Sequence, residues 1–238
     1  MMLNKIISMW VFTLLFIITQ NVHSSETRYR MYNDDGESMG FIQSHETARQ
    51  NNVEVVTRFN MKGEKMFISF SMQGEDKVVL DATGIREFEL NDLMDAPFFS
   101  FNRTTYGYVT EDKLVLKIKD KDEDEEPSSK TYLLSEFDTI ARINSRDVKG
   151  YARLLRSAPI TLRSLNLMQG EIEEISIVAQ GSEEVSFNGE EVSIEKYRMT
   201  HSHGETDIWL LPDGRVYRQG GMFGYMLLET GTESDVGW

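Results

Sequence analysis

Cysteine is absent from this chain of 238 residues. Its absence excludes disulfide bonds, thiolate nucleophiles and the attachment of a lipid to a cysteine behind an N-terminal export signal. The hydrophobic core alone must therefore stabilise the fold. Only four prolines occur, and the chain instead contains many short runs in which apolar and polar residues alternate, which is typical of packed β-strands.

Positive charge is also scarce. The chain has 25 Lys and Arg against 39 Asp and Glu, so its formal net charge is -14. Such an acidic surface repels the phosphates of nucleic acids and of anionic lipid headgroups. We therefore exclude nucleic acid as a partner.

Several catalytic and cofactor-binding motifs are missing too. The sequence contains no GxSxG nucleophile elbow, no phosphate-binding loop and no GxGxxG placed between a strand and a helix. We assign no catalytic residue and expect no cofactor. The sequence favours a non-enzymatic protein.

The N-terminal segment carries a targeting pattern. Lys5 precedes an apolar run over residues 6–19, and polar residues follow it at Gln20 and Asn21. The run is shorter than the ~20 residues that a membrane-spanning helix needs. We interpret residues 1–24 as a cleaved export signal. We expect an exported mature protein, periplasmic or secreted, without a transmembrane span.

The rest of the chain predicts a mainly β fold. Short alternating runs separated by turn residues every 8–12 positions indicate one large curved antiparallel sheet, either a half-barrel or an open barrel. Turns are predicted at residues 33–36, 62–64 and 73–76. Residues 91–96 predict a single helical turn that Pro97 would stop.

One or two short helices are expected in the middle of the chain. Val148, Tyr151, Ala152 and Leu155 follow the i, i+3, i+4, i+7 spacing of an amphipathic helix. Ser145 is a suitable N-cap. We treat residues 25–229 as one β-rich domain and residues 230–238 as a flexible tail.

A possible metal site lies near the C-terminus. His201 and His203 are two residues apart, so on an extended strand both imidazoles point to the same side. Asp207 could add a carboxylate ligand after a turn at Gly204. The alternative is that all three are ordinary residues at a strand end and turn.

Two groups of aromatic and Met side chains are candidates for lining a ligand site. Such side chains adapt to varied apolar shapes, so they suit a lipid-like ligand, although they are also ordinary core residues. The candidates are Phe98, Phe99, Phe101, Tyr106, Tyr108, Met222, Phe223 and Tyr225.

Two segments carry a family resemblance. Residues 29–32 (YRMY), Gly36 and residues 39–41 (MGF) resemble the first hairpin of exported bacterial β-rich proteins of unknown function. Residues 207–216 (DIWLLPDGRV) resemble their C-terminal hairpin, with Pro212 where that hairpin often has Asp. The resemblance implies a curled antiparallel sheet, similar to periplasmic lipoprotein carriers, which hold acyl chains on a concave apolar face. It transfers no catalytic residue.

Three hypotheses about function follow. The first is a soluble envelope protein that binds an apolar or amphipathic ligand, with a lipid or lipoprotein as partner, on a concave sheet face. The second is a metal-binding protein or metal-dependent enzyme that uses His201, His203 and Asp207. The third is a structural envelope factor that binds another envelope protein through a sheet edge.

Overall fold

The computed structural model describes residues 24–49, 51–65, 68–97, 100–121, 126–144, 146–167, 170–221 and 224–229. Residues 1–23 of the predicted export signal and the predicted tail at residues 230–238 lie outside this description. Among the described residues, no helix has the length and apolar character needed to cross a membrane.

Fourteen strands account for most of the described chain. They are β1 Ser24–Tyr32, β2 Ser38–Arg49, β3 Asn52–Lys65, β4 Ile68–Asp81, β5 Gly84–Asp95, β6 Phe101–Thr110, β7 Lys113–Asp120, β8 Ser128–Leu133, β9 Ile160–Asn166, β10 Glu171–Phe187, β11 Glu190–His201, β12 Gly204–Leu210, β13 Val216–Gly221 and β14 Gly224–Leu228.

All fourteen strands belong to one antiparallel sheet. Each strand pairs with the next strand in sequence, except that β8 does not pair with β9. In addition, the last strand, β14, pairs with the first, β1. The strand order is therefore cyclic but interrupted once, and β8 and β9 are the two edges. The prediction of a single large antiparallel sheet, open rather than closed, is confirmed.

Alternating side chains give the sheet two different faces. In β5, Phe88, Leu90 and Asp92 are buried, whereas Glu87 and Glu89, the residues on either side of Phe88, are exposed. The same alternation continues across neighbouring strands, because paired residues point to the same face. Leu90, for example, lies opposite buried residues on both neighbouring strands. We call the face of Phe88 and Leu90 the inner face and the opposite one the outer face.

Three local predictions were wrong, because strand pairing continues through the residues concerned. Residues 91–95 continue β5 instead of forming a helical turn, residues 62–64 continue β3 instead of forming a turn, and β4 runs straight through the turn predicted at residues 73–76. A Cβ at Gly74 would lie 2.6 Å from the Phe59 ring, so this glycine makes room for packing and does not form a turn. Pairing on both sides of a central strand outweighs local turn preference.

A helical segment lies between β8 and β9. It consists of a 3-10 turn at Leu134–Glu136 and two helices, α1 Ala141–Asn144 and α2 Val148–Arg156. The predicted amphipathic helix is confirmed as α2. The side chain of Asp147, which accepts a hydrogen bond from the Gly150 N–H at 3.0 Å, caps its first turn in place of the predicted Ser145.

This helical segment packs against the inner face and divides the core into two clusters. In one cluster, Ile140 and Ile143 pack with inner-face residues of β4, β5, β7 and β9, including Val78, Phe88 and Leu116. In the other, α2 packs against the strands from β10 to β14 and against β1; its buried side chains are Tyr151, Ala152 and Leu155. The segment therefore fills much of the space that the sheet surrounds.

The same segment also spans the gap between the two sheet edges. The N–H groups of Asp138 and Thr139 donate to the carbonyl of Arg163 on β9, at 2.8 and 3.2 Å. On the other edge, the Tyr132 hydroxyl of β8 donates to the carbonyl of Gly170, at 2.8 Å. These contacts partly cover the β9 edge. The hypothesis that another envelope protein binds to a sheet edge stays a prediction.

Four charged side chains attach the helical segment to the inner face. Arg142 of α1 contacts Asp76 of β4 at 2.5 Å and Asp92 of β5 at 2.7 Å, and Arg146 contacts the second oxygen of Asp76 at 2.7 Å. Burial by itself would raise the pKa of Asp76, but the two guanidinium groups outweigh it and hold this pKa below its ordinary value. Asp76 is therefore a paired, buried carboxylate.

Replacing Asp76 by Asn should lower the free energy of unfolding by about 3 to 5 kcal/mol, because it leaves Arg146 and part of Arg142 buried without a counter-charge. Because the pKa of Asp76 is depressed in the folded state, its contribution is present above the unfolded value of about 4 and is lost as the pH falls through the folded value. Urea unfolding between pH 7 and acid pH measures both effects.

The matched control is Glu75→Gln on the outer face of the same strand. Glu75 pairs with Arg58 at an exposed position, so its replacement should change the free energy of unfolding by less than about 1 kcal/mol. Equal losses for Asp76→Asn and Glu75→Gln would contradict the role given to the buried cluster.

Candidate functional site

A cavity of about 230 Å³ remains between the inner face and the helical segment. One wall is formed by the inner faces of β1 to β3, and the other by β13, β14 and the residues at the start of α2. The apolar part of its lining consists of Ile42, Val55, Val148, Val216 and Met226. The polar part consists of Ser25, Thr27, Tyr29, Ser44, Glu46, Arg146 and Gln219.

Two polar groups of this lining are buried without a partner. One guanidinium nitrogen of Arg146 contacts Asp76, but its Nε has no hydrogen-bond partner, and neither has Oε1 of Gln219. Buried polar groups are normally paired, and an unpaired one costs about 1 to 3 kcal/mol. Both residues line the cavity, so an unpaired donor and an unpaired acceptor belong to its wall.

Tyr29 adds a neutral hydroxyl to the same wall. Burial raises the pKa of Tyr29 to about 12, although Arg215 and Arg146 nearby partly oppose this shift. Burial also raises the pKa of Tyr151, a core residue of α2. At neutral pH Tyr29 is protonated and can act as a hydrogen-bond donor or acceptor, but it has no tendency to act as a base.

The predicted open concave groove is not what the inner face shows. Because α1 and α2 pack against that face, the space left among the described residues of β1 to β3, β13 and β14 is this cavity, bounded by Arg146 and Val148. Phe101, a predicted ligand-lining residue, lies buried on the inner face at the start of β6, but it is not part of the lining of this cavity.

Three predicted ligand-lining aromatics lie on the other side of the sheet. Tyr106 and Tyr108 are an odd number of residues from Phe101 on an unbroken strand, so they point to the outer face. Tyr225 also faces outward, where it stacks on Tyr32 at 5.3 Å between ring centroids. These three side chains therefore do not lie on the inner face, because sequence clustering does not distinguish the two faces of a strand. Ligand binding by them stays a prediction.

The remaining lining candidates, Phe98, Phe99, Met222 and Phe223, lie outside the described residues.

His201, His203 and Asp207 do not converge on one point. The two imidazole centroids are 6.1 Å apart, and Nδ1 of His201 accepts a hydrogen bond from the backbone N–H of His203 at 3.2 Å. Asp207 instead binds Arg198 at 2.7 Å and Lys196 at 3.2 Å. The hydrogen bond from Arg198 holds the pKa of Asp207 below its ordinary value.

No group of three or more potential ligand residues forms a metal site within the part of the chain that the structure describes. Metal binding stays a prediction that these contacts do not favour.

Sequence reasoning missed Arg146 and Gln219, the two side chains that define the cavity. Arg142 and Arg146 are one helical turn apart, next to the predicted helix, and Asp76 and Asp92 occupy positions where alternation predicts inward-facing side chains. Opposite charges at inward positions could have suggested a buried ion-pair cluster. Nothing in the sequence placed Gln219 beside Arg146.

The fold and the cavity together define a β-barrel-like protein whose single sheet stays open and surrounds a helical segment. No family model matches the chain, and no curated protein matches it. Among solved structures, it is similar to a β-barrel-like protein of the domain of unknown function DUF1849 from Brucella abortus. The TM-score is 0.55 at 8% sequence identity, covering 87% of this chain and 94% of the other. At this identity the likeness is one of fold alone.

Added Zn²⁺ should leave the thermal unfolding midpoint of the protein unchanged, because Asp207 is engaged by two cations and does not face the imidazoles. Differential scanning calorimetry with and without equimolar Zn²⁺ measures this. A zinc-dependent rise of the midpoint that both His201→Ala and Asp207→Asn abolish would instead establish the metal site.

Proposed function

We propose that this protein is a non-enzymatic binding protein that holds a small amphipathic ligand in the interior cavity. The observation that carries the proposal is the pair of unpaired polar atoms, Arg146 Nε and Gln219 Oε1, on residues that line a cavity of mixed apolar and polar side chains. Ligand sites are typically apolar cavities with a few placed polar groups.

The arrangement of the lining suggests what the ligand looks like. Ile42, Val55 and Met226 offer apolar surface, whereas Arg146 offers a charged donor at the helical end of the cavity. A molecule with a hydrocarbon part and an acidic head would satisfy both. Because Glu46 also lines the cavity, one anionic group near Arg146 fits better than a highly charged ligand.

The volume limits the size of the ligand. Sites for drug-sized molecules occupy about 300 to 1,000 Å³, so a cavity of about 230 Å³ suits a single short acyl chain. A carrier for a lipid with several chains would have to displace the helical segment from the inner face. The predicted export signal supports an envelope location for this binding protein.

Titration of the full chain, expressed into a bacterial periplasm, with dodecanoate tests the proposal. We expect one dodecanoate per chain by native mass spectrometry. Arg146→Gln should weaken its binding about tenfold or more, because a hydrogen bond to a charged group is lost. Thr27→Leu should weaken it as well, by filling the cavity. Circular dichroism confirms that each variant is folded.

Two variants away from the cavity serve as controls. Arg153→Gln removes an exposed charge from α2, and Thr200→Leu adds an apolar side chain at an exposed position of β11. Both should bind dodecanoate like the wild type. The proposal is overturned if the folded wild type binds neither dodecanoate nor a co-purifying small molecule, or if Arg146→Gln and Thr27→Leu both bind with unchanged affinity.

A further inference from the structure

The outer face carries a continuous row of side chains that the cavity does not use. Each residue of the row lies opposite the next one on the neighbouring strand, from Lys196 of β11 to Asn102 of β6, so the row crosses ten adjacent strands. At about 4.8 Å per strand it is roughly 43 Å long. We call it the outer row.

One half of the outer row is cationic and aromatic. In the strand register, Lys196 lies opposite Trp209, and Trp209 lies opposite Arg218. The Arg218 guanidinium lies 5.1 Å from the Trp209 ring centroid and 4.2 Å from that of Tyr225, so two aromatic rings hold it in place.

Arg218 has no carboxylate partner among the described residues. Its Nε is buried without a hydrogen bond, whereas the other cations nearby are paired, Lys196 with Asp207 and Arg30 with Glu229. In a chain with a net charge of -14, an oriented and unpaired arginine is an unused site for an anionic group.

The other half of the outer row is neutral. Phe41, Asn60, Gln73, Leu93 and Asn102 follow one another on β2 to β6. They line an outer groove of about 520 Å³. Leu93 is 38% exposed, and Phe41 adds aromatic surface at the end nearer Arg30.

Three side-chain amides of this groove are free to bind a ligand. Within the part of the chain that the structure describes, the amides of Asn60, Gln73 and Asn102 make no hydrogen bond to protein groups. Each amide both donates and accepts, so together they match the hydroxyl groups of a sugar, which also do both. Phe41 and Leu93 match the apolar faces of sugar rings.

We propose that the outer row binds an extended acidic oligosaccharide. Neutral sugar rings lie along the groove from Phe41 to Asn102, and a carboxylate or phosphate group contacts Arg218. The row itself contains no Asp or Glu. Two acidic residues also line the groove, but both are neutralised by arginines, Glu75 by Arg58 and Asp92 by Arg142. An acidic peptide fits less well, because the row crosses paired strands, whose backbone groups are not available for strand addition.

Isothermal titration of the full chain with octagalacturonate and with a hyaluronan octasaccharide tests this proposal. Arg218 and Gln73 lie five strand spacings apart along the row, about 24 Å, so the ligand must be long enough to reach both. We expect at least one of them to bind, more weakly at higher salt. Arg218→Gln should weaken that binding about tenfold. Gln73→Ala should weaken the binding of the acidic saccharide severalfold. If neutral maltotriose binds, Gln73→Ala should weaken its binding as well.

The matched controls are Arg49→Gln and Gln180→Ala, exposed residues of β2 and β10 outside the row, which should bind like the wild type. The proposal is overturned if neither acidic saccharide binds, if Arg218→Gln and Gln73→Ala leave binding unchanged, or if hexaglutamate binds as tightly as the saccharides. Because the outer row and the cavity lie on opposite faces, either proposal can fail without the other.

Discussion

The bidentate contact of Arg142 with Asp76 and Asp92 is the interaction on which the interior of this protein depends. The sheet is open between β8 and β9, so backbone pairing alone does not close the space that it surrounds. The helical segment fills that space, and its buried arginines are neutralised by aspartates on the inner face. Buried charges are tolerated only when they are paired in this way. The aspartates on the inner face therefore need the arginines of the helical segment, and the position of that segment depends on the aspartates.

This arrangement gives the two faces of the sheet different chemistry. On the inner face the helical segment leaves a small cavity lined by both apolar and polar side chains, including Arg146. On the outer face no element covers the described strands around Phe41 and Gln73, and a shallow groove with both apolar and polar side chains remains there. The helical segment packed on the inner face therefore distinguishes this protein from a half-barrel with an open apolar concave face.

Alternation of apolar and polar residues was a reliable guide to the strands, and the spacing of Val148, Tyr151, Ala152 and Leu155 identified α2. Local turn signals were less reliable. Gly74 and Asn91 have turn-like neighbours, yet both lie within long strands because each is paired on both sides. The site was harder still, since Tyr106 and Tyr225 are aromatic residues in suggestive clusters that point away from the cavity.

Composition and periodicity are enough to identify a cysteine-free, acidic, mainly β protein with one helical interruption, because both are properties of residues close together in the chain. The folded structure is needed to see that β14 pairs with β1, that Arg146 and Gln219 share a cavity, and that Trp209, Arg218 and Phe41 lie in one row. These relations join residues far apart in the chain. Strand register sets them, and a shift of one residue would turn every side chain to the other face.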